Sequence, residues 1–299
     1  MTEVAGTVRR LAFWSIPLAL LVMGLKFVAW YFTGSVALFS DALESTVNVI
    51  AALIAFFAIG YAHKPADPEH PFGHHKAEYF SAVIEGVLIV VAALMIVREA
   101  VDGLLDPQPM TAPAIGLAIN GAAAVINGLW AAVLIDRGRR HRSPALQADG
   151  RHILSDVITS VGVIAGLMLA ISFDEPRIDP LLALIVAVNV LWQGWRVISA
   201  SVSGLMDAAI DPAEESRIRE LIKAHADGAI EAHDIRTRRA GHASFVEFHL
   251  VVDGAMSVEA SHRICDRLEN VLKQDLPGVA VTIHVEPAHK AKEEGVRLD

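Results

Sequence analysis

"ALFSDALESTVNVIAALIAFF", residues 37–57, is apolar enough to cross a membrane, yet it carries Asp41, Glu44, Ser45 and Asn48 within about two helical turns. On a helix, positions i, i+3, i+4 and i+7 fall in one stripe. These four residues have that spacing, so one face of the segment is polar and partly ionisable. Ionisable groups at membrane depth cost several kcal/mol unless they are paired, hydrated or bound to an ion. The stretch therefore reads as a membrane helix that holds something polar.

The rest of the chain supports a membrane. Of its 299 residues, 54% are hydrophobic, and the mean hydropathy is +0.45. Several runs reach the roughly 20 residues needed to cross a hydrocarbon core. Six spans are predicted near 11–32, 38–62, 78–101, 112–136, 152–173 and 179–201. The first follows Arg9 and Arg10, is too long for a signal-peptide core and has no small-residue cleavage site behind it. It is kept as a true span. The loop between spans four and five carries Arg137, Arg139, Arg140, Arg142 and Arg151, whereas "TGSVALFS" and "FDEPRID" hold one basic residue between them. By the positive-inside rule both termini are cytoplasmic. Cys265 is the only cysteine, which excludes an intrachain disulfide and thiolate-rich metal sites.

Composition changes after residue 208. Asp211-Pro212 followed by Glu214 has the form of a helix start. The polar tail is predicted as helix 212–226, strands 231–239 and 244–252, helix 257–275 and strand 279–286. Val246, Phe248, Leu250 and Val252 alternate with Glu247 and His249, and Val279, Val281, Ile283 and Val285 alternate with Thr282, His284 and Glu286. Helices cover one face of such a sheet, so His249, His284 and Glu286 share the uncovered face. The expected architecture is an α-helical membrane protein: a six-helix transmembrane domain (1–208), a cytoplasmic αββαβ, ferredoxin-like domain (209–290) and a disordered tail (291–299).

Three clusters carry candidate metal chemistry. The first pairs the opening stripe with His152, Ser155, Asp156 and Thr159, which repeat its offsets in the fifth span. Facing each other, the stripes offer carboxylates, imidazole and hydroxyls, a set suited to a borderline divalent cation. Ser155, Thr159 and Asn48 are better explained as hydrogen bonds joining helices; Asp41, His152 and Asp156 are not. Lys26 in span one could neutralise a carboxylate or snorkel to an edge, and Glu44 could be a ligand, a proton acceptor or an interfacial residue. The second cluster is the loop "HKPADPEHPFGHHKAEYFSA", with Asp67, His70 and His74 as ligands and His75 beside them. The third is His233, His249, His262, His284 and Glu286 in the tail. The alternative for the loop is solvated histidines that titrate freely, and the ligand reading is favoured over it.

On "GSVALFSDALES", "HPFGHHKAEYFSA", "ALQADGRHILSDVITSVGV", "GLMD" and "HDIRTR", the sequence resembles the cation diffusion facilitators, specifically the bacterial zinc/iron exporters. The resemblance covers nearly the whole chain. It implies a homodimeric antiporter of the bacterial inner membrane that moves Zn2+, or Fe2+, Mn2+ or Cd2+, outward against protons. The metal is substrate and regulatory ligand, with no organic cofactor and no nucleic-acid partner. It further implies transport ligands at Asp41, Ser45, His152 and Asp156, a loop site at Asp67, His70 and His74, and a tail site at His233, His249, His262, His284 and Glu286. Lys76 and Asp207 match a charged pair near the dimer's hinge.

Ser45 departs from the pattern, which expects aspartate or histidine there. Water, Glu44 or Asn48 could complete the shell, or the selectivity could favour iron or manganese. Two other function classes compete with this one. A membrane metalloenzyme would need an open metal position and a general base, and no HExxH pattern occurs; no enzymatic activity is expected. A metal sensor that does not transport would use the loop and tail sites but has no need of buried polar stripes.

Overall fold

The computed structural model describes residues 2–62, 64–140, 144–241, 243–276, 278–292 and 295–298. Six long helices come first: α1 (Thr2–Thr33), α2 (Val36–Ala62), α3 (Ala77–Leu105), α4 (Pro113–Arg140), α5 (Pro144–Phe173) and α6 (Ile178–Leu205). All six are long and apolar enough to cross a membrane. Arg142, used for orientation above, lies outside the described residues.

The described chain divides into two compact units. One reaches to Ala55 and resumes over Ile84–Ile198; the other combines Phe56–Val83 with the chain from Ser199. Within the helical unit the hydrophobic core is built of small or aliphatic residues, among them Ala29, Ala37, Leu38, Ile96, Ala100 and Ala183. Small side chains let membrane helices approach closely. At one such approach a Cβ on Gly86 of α3 would lie 2.5 Å from Ile198 Cγ1 and 3.2 Å from the Gly194 carbonyl oxygen of α6. Large apolar side chains point outward instead, including Phe13, Leu94, Ile158, Ile185 and Trp192.

The start of α2 has a partner that sequence does not reveal. The first backbone N–H groups of a helix have no acceptor of their own. Here Asp179 of α6 accepts from Val36 N at 2.8 Å, Ala37 N at 3.1 Å and Ser35 Oγ at 2.6 Å. This locks the beginning of α2, and with it the rotation of the polar stripe that follows.

The tail runs α7 (Pro212–His225), β1 (Glu231–Ala240), β2 (Ala243–Val252), α8 (Val258–Asp275) and β3 (Val279–Pro287), in the expected αββαβ order. Asp211 caps α7 by accepting from Ala213 N at 2.9 Å, with Pro212 at the first helical position. Ile218, Leu221 and Ile222 of α7 and Ile264, Leu268 and Leu272 of α8 bury against Val246, Phe248 and Leu250 of β2. β2 pairs antiparallel with β1 and parallel with β3.

A correction concerns the described residues of 291–299 (291, 292 and 295–298), a segment expected to be disordered. Val296–Arg297 form a fourth strand, β4, antiparallel to the start of β1, giving sheet order β3-β2-β1-β4. Glu231 anchors the approach by accepting from Lys292 N at 2.9 and 3.0 Å. Without β4 the first residues of β1 would leave an unpaired strand edge.

Candidate metal centres

The α2 stripe is built as expected, but its residues take two different roles. Lys26 of α1 places its Nζ 2.7 Å from Asp41 Oδ1, with both side chains almost wholly buried. Ser160 of α5 sets its Oγ 3.0 Å from each oxygen of the same carboxylate. Ser45 Oγ donates to the Asp41 backbone carbonyl at 3.1 Å. The resemblance makes Asp41 and Ser45 ligands; in the structure one is engaged by an ammonium and the other by its own helix.

One position further along, the stripe faces α5. Asn48 Nδ2 lies 3.2 Å from Asp156 Oδ2 and 3.4 Å from Oδ1. Half-buried Glu44 has an oxygen, Oε2, that is shielded from solvent and without a hydrogen-bond partner among the described residues. Glu44, Asn48 and Gln193 line a cavity of about 20 Å³ closed by apolar side chains of α3 and α6. That is roughly room for one water or one ion. His152, exposed on α5, acts electrostatically on Asp156 and on Glu85 of α3. Sequence reasoning passed over Glu85, although a carboxylate inside an apolar 29-residue helix was a signal for it. Ser155 and Thr159 do not join the cluster; Thr159 Oγ1 donates to the Ser155 carbonyl at 3.3 Å.

The loop cluster is assembled. Asp67 Oδ1 is 3.1 Å from His70 Nδ1, and Asp67 Oδ2 is 3.3 Å from His74 Nε2. Donors bound to one tetrahedral Zn2+ at 2.0–2.1 Å stand about 3.4 Å apart, so this spacing suits an ion. The His70 backbone N–H, donating at 2.7 Å, holds the Asp67 carboxyl below the usual carboxylate range. The turn that returns His74 to Asp67 needs Gly73, whose φ is +81°. His70 and His74 also border a cavity of about 270 Å³, with Tyr61, Phe72 and Phe245.

In the tail, strand register does what spacing along the chain could not. His249 of β2 pairs with His233 of β1 and with His284 of β3, so three histidines stand side by side across the sheet. Their ring centroids are 5.2 and 4.9 Å apart. Glu286 lies 3.2 Å from His233 Nε2, 3.5 Å from His249 Nδ1 and 3.7 Å from His284 Nε2. Buried Glu231 orients His233 through Nδ1 at 2.9 Å, as outer partners of metal ligands commonly do. His262 is not brought into this ladder; on α8 it is exposed and pairs with Asp266 at 3.5 Å.

Asp234 was missed. Strict alternation puts it on the face opposite His233, but the β1 register shifts between His233 and Arg236, and Asp234 takes φ +51°. This bulge brings its carboxylate into a group with His233 and His249 whose ligand atoms lie within 4.8 Å of one another. Lys292 Nζ donates to Asp234 at 2.7 Å and holds its carboxyl below the usual range.

Lys76 and Asp207 do pair, at 2.9 Å and within one chain. Asp207 also accepts from Arg238, whose guanidinium lies 4.0 Å from the Phe245 ring centroid.

The model of the cation efflux transmembrane domain matches residues 12–206, and that of the cation efflux protein cytoplasmic domain matches 210–288. The chain belongs to the cation diffusion facilitator family. An uncharacterised transporter of Synechocystis sp. is 44% identical over 288 residues, covering 96% of this chain and 93% of that protein. The cation-efflux pump FieF of Salmonella newport (strain SL254) is 30% identical over 292 residues, covering 98% and 97%. Among solved structures, the metal-bound C-terminal domain of the CzcD transporter from Thermotoga maritima is 26% identical, with TM-score 0.25, and covers 28% of this chain and all of that one. The protein is thus a multi-pass membrane protein of a metal-cation efflux family.

Proposed function

We propose that this chain is a carrier, not an enzyme, that exports divalent transition-metal cations from the cytoplasm across the bacterial inner membrane in exchange for protons. Zn2+ is the first substrate to test, with Fe2+, Mn2+ and Cd2+ as competitors. The observation that carries the reading is Asn48 of α2 meeting Asp156 of α5 beside a shielded Glu44 oxygen. Glu44 and Asn48 from α2, with His152 and Asp156 from α5, supply two carboxylates, an imidazole and an amide oxygen. The amide oxygen and nitrogen exchange places by a half-turn of the side chain.

Transport proceeds by alternating access in a homodimer with both termini in the cytoplasm. Binding needs neutral imidazole and ionised carboxylates, so metal and proton compete for the same lone pairs. Protons arriving from outside discharge the ion and reset the carrier. Ions at the tail ladder draw two tails together and bias the dimer. The competing reading, a sensor without transport, draws on Asp67, His70 and His74 and on His233, Asp234 and His249, two groups among the described residues in each of which the ligand atoms lie within 4.8 Å of one another.

Purified protein in sealed proteoliposomes separates the two. A carrier moves Zn2+ with opposing proton flux, and Asp156→Ala abolishes both while leaving a folded dimer. Metal binding with no flux in the wild type favours the sensor. Competition by the other three cations ranks the substrates.

A further inference from the structure

Lys26 is 1% exposed in the interior of the helical unit, and Asp41 is its ion-pair partner. A buried ion pair is a weak source of stability, because desolvation offsets much of the attraction. Stability is thus a poor reason for its presence. Its position suggests a better one. Asp41 lies one helical turn before Glu44 on α2, and Ser160, which also contacts Asp41, lies one turn after Asp156 on α5. The charges of Lys26 and Asp41 both act on Glu44 and on Asp156. Their effects there are opposite in sign.

We propose that Lys26 and Asp41 form a charge-setting pair for the transport site: the Lys26 ammonium cancels Asp41, so the arriving divalent ion meets the carboxylates of Glu44 and Asp156 rather than three carboxylates. This rests on the reading of Glu44, Asn48, His152 and Asp156 as the transport face. Lys26 and Asp41 act through those residues and do not touch the ion. A third uncompensated carboxylate would hold the ion too firmly to release it, and an uncompensated ammonium would repel it. The pair therefore tunes affinity against release.

The test is zinc titration of the purified full chain in a background lacking the other sites (His70→Ala, His74→Ala, His249→Ala, His284→Ala), with melting temperature measured alongside. Asp41→Asn leaves Lys26 uncompensated, and zinc affinity should fall roughly tenfold or more. Adding Lys26→Met removes the stray ammonium, and affinity should return to within about threefold of the background. A ligand role for Asp41 predicts no rescue, so a double variant as weak as Asp41→Asn overturns the proposal. If Asp41→Asn does not fold, Lys26→Met alone decides: a rise in affinity of about tenfold supports the pair, and unchanged affinity overturns it. Asp156→Asn in the same background keeps the two readings apart. Affinity indifferent to Asp156 removes the transport face itself, whereas affinity that depends on Asp156 but not on Lys26 removes only the charge-setting pair.

Discussion

Asn48 of α2 reaches α5 and sets its amide 3.2 Å from Asp156 Oδ2. That contact selects which residues of the polar stripe share a site with the fifth helix. Glu44 lies one turn before Asn48 on the same face, while Asp41 and Ser45 are engaged by Lys26 and by the α2 backbone.

Asn48→Asp should therefore tighten divalent binding, by roughly tenfold if one more carboxylate joins the shell, and should slow release. Ser45→Asp should not. Its carboxylate would enter a buried position whose present hydroxyl serves the α2 backbone, so the melting temperature should drop with no gain in affinity. Titrating both variants beside the wild type decides the matter; tighter binding by the Ser45 variant would return that position to the ligand set.

At the tail, Lys292 competes with any metal for Asp234. Lys292→Met should let zinc raise the melting temperature at lower concentrations, since a ligand that binds only the folded state stabilises according to its concentration over Kd. An identical zinc dependence in variant and wild type would show that Asp234 takes no part.

Gly73→Ala should disrupt the loop site. The residue stands at φ +81°, and an added Cβ would come within 2.8 Å of His75 Nε2. Strain at such a position costs about 1–3 kcal/mol. Zinc affinity at Asp67, His70 and His74 should fall, which a titration with the tail histidines removed would detect.

Lys76 and Asp207 should couple only modestly. Their side chains are 35% and 45% exposed, so a double-mutant cycle should return about 0.2–1 kcal/mol. The hydrogen bond from Lys76, followed by that from Arg238, holds the Asp207 carboxyl below its ordinary 3.8. Because the folded value is depressed, the contribution is complete above the ordinary carboxylate range and is lost as pH falls through the lower folded value. In Asp207→Asn the loss of stability relative to wild type should shrink on acidification below pH ~4. A difference that persists unchanged at the acid end would mean that the charge is not what matters.

Much of the molecule was legible because the signals were local. Six apolar runs, the Asp211-Pro212 cap and the alternation of Val246 with Glu247 each follow from neighbours on one helix or strand. The His249 and His284 face was legible for the same reason, since alternation in a strand has a period of two. Asp234 was hidden by a bulge, and the ordering of Val296–Arg297 by a pairing with β1 far upstream.

The sequence by itself determined that two helices would each carry a polar face inside a membrane, because periodicity sets which side chains share a stripe. It could not determine which lone pairs on that stripe are already used. Only the tertiary structure decided that, bringing Lys26 to Asp41 across 15 positions and Ser160 to the same carboxylate across 119. A carboxylate's chemistry depends on what stands within about 3 Å of it, and in a helical bundle those neighbours come from other helices.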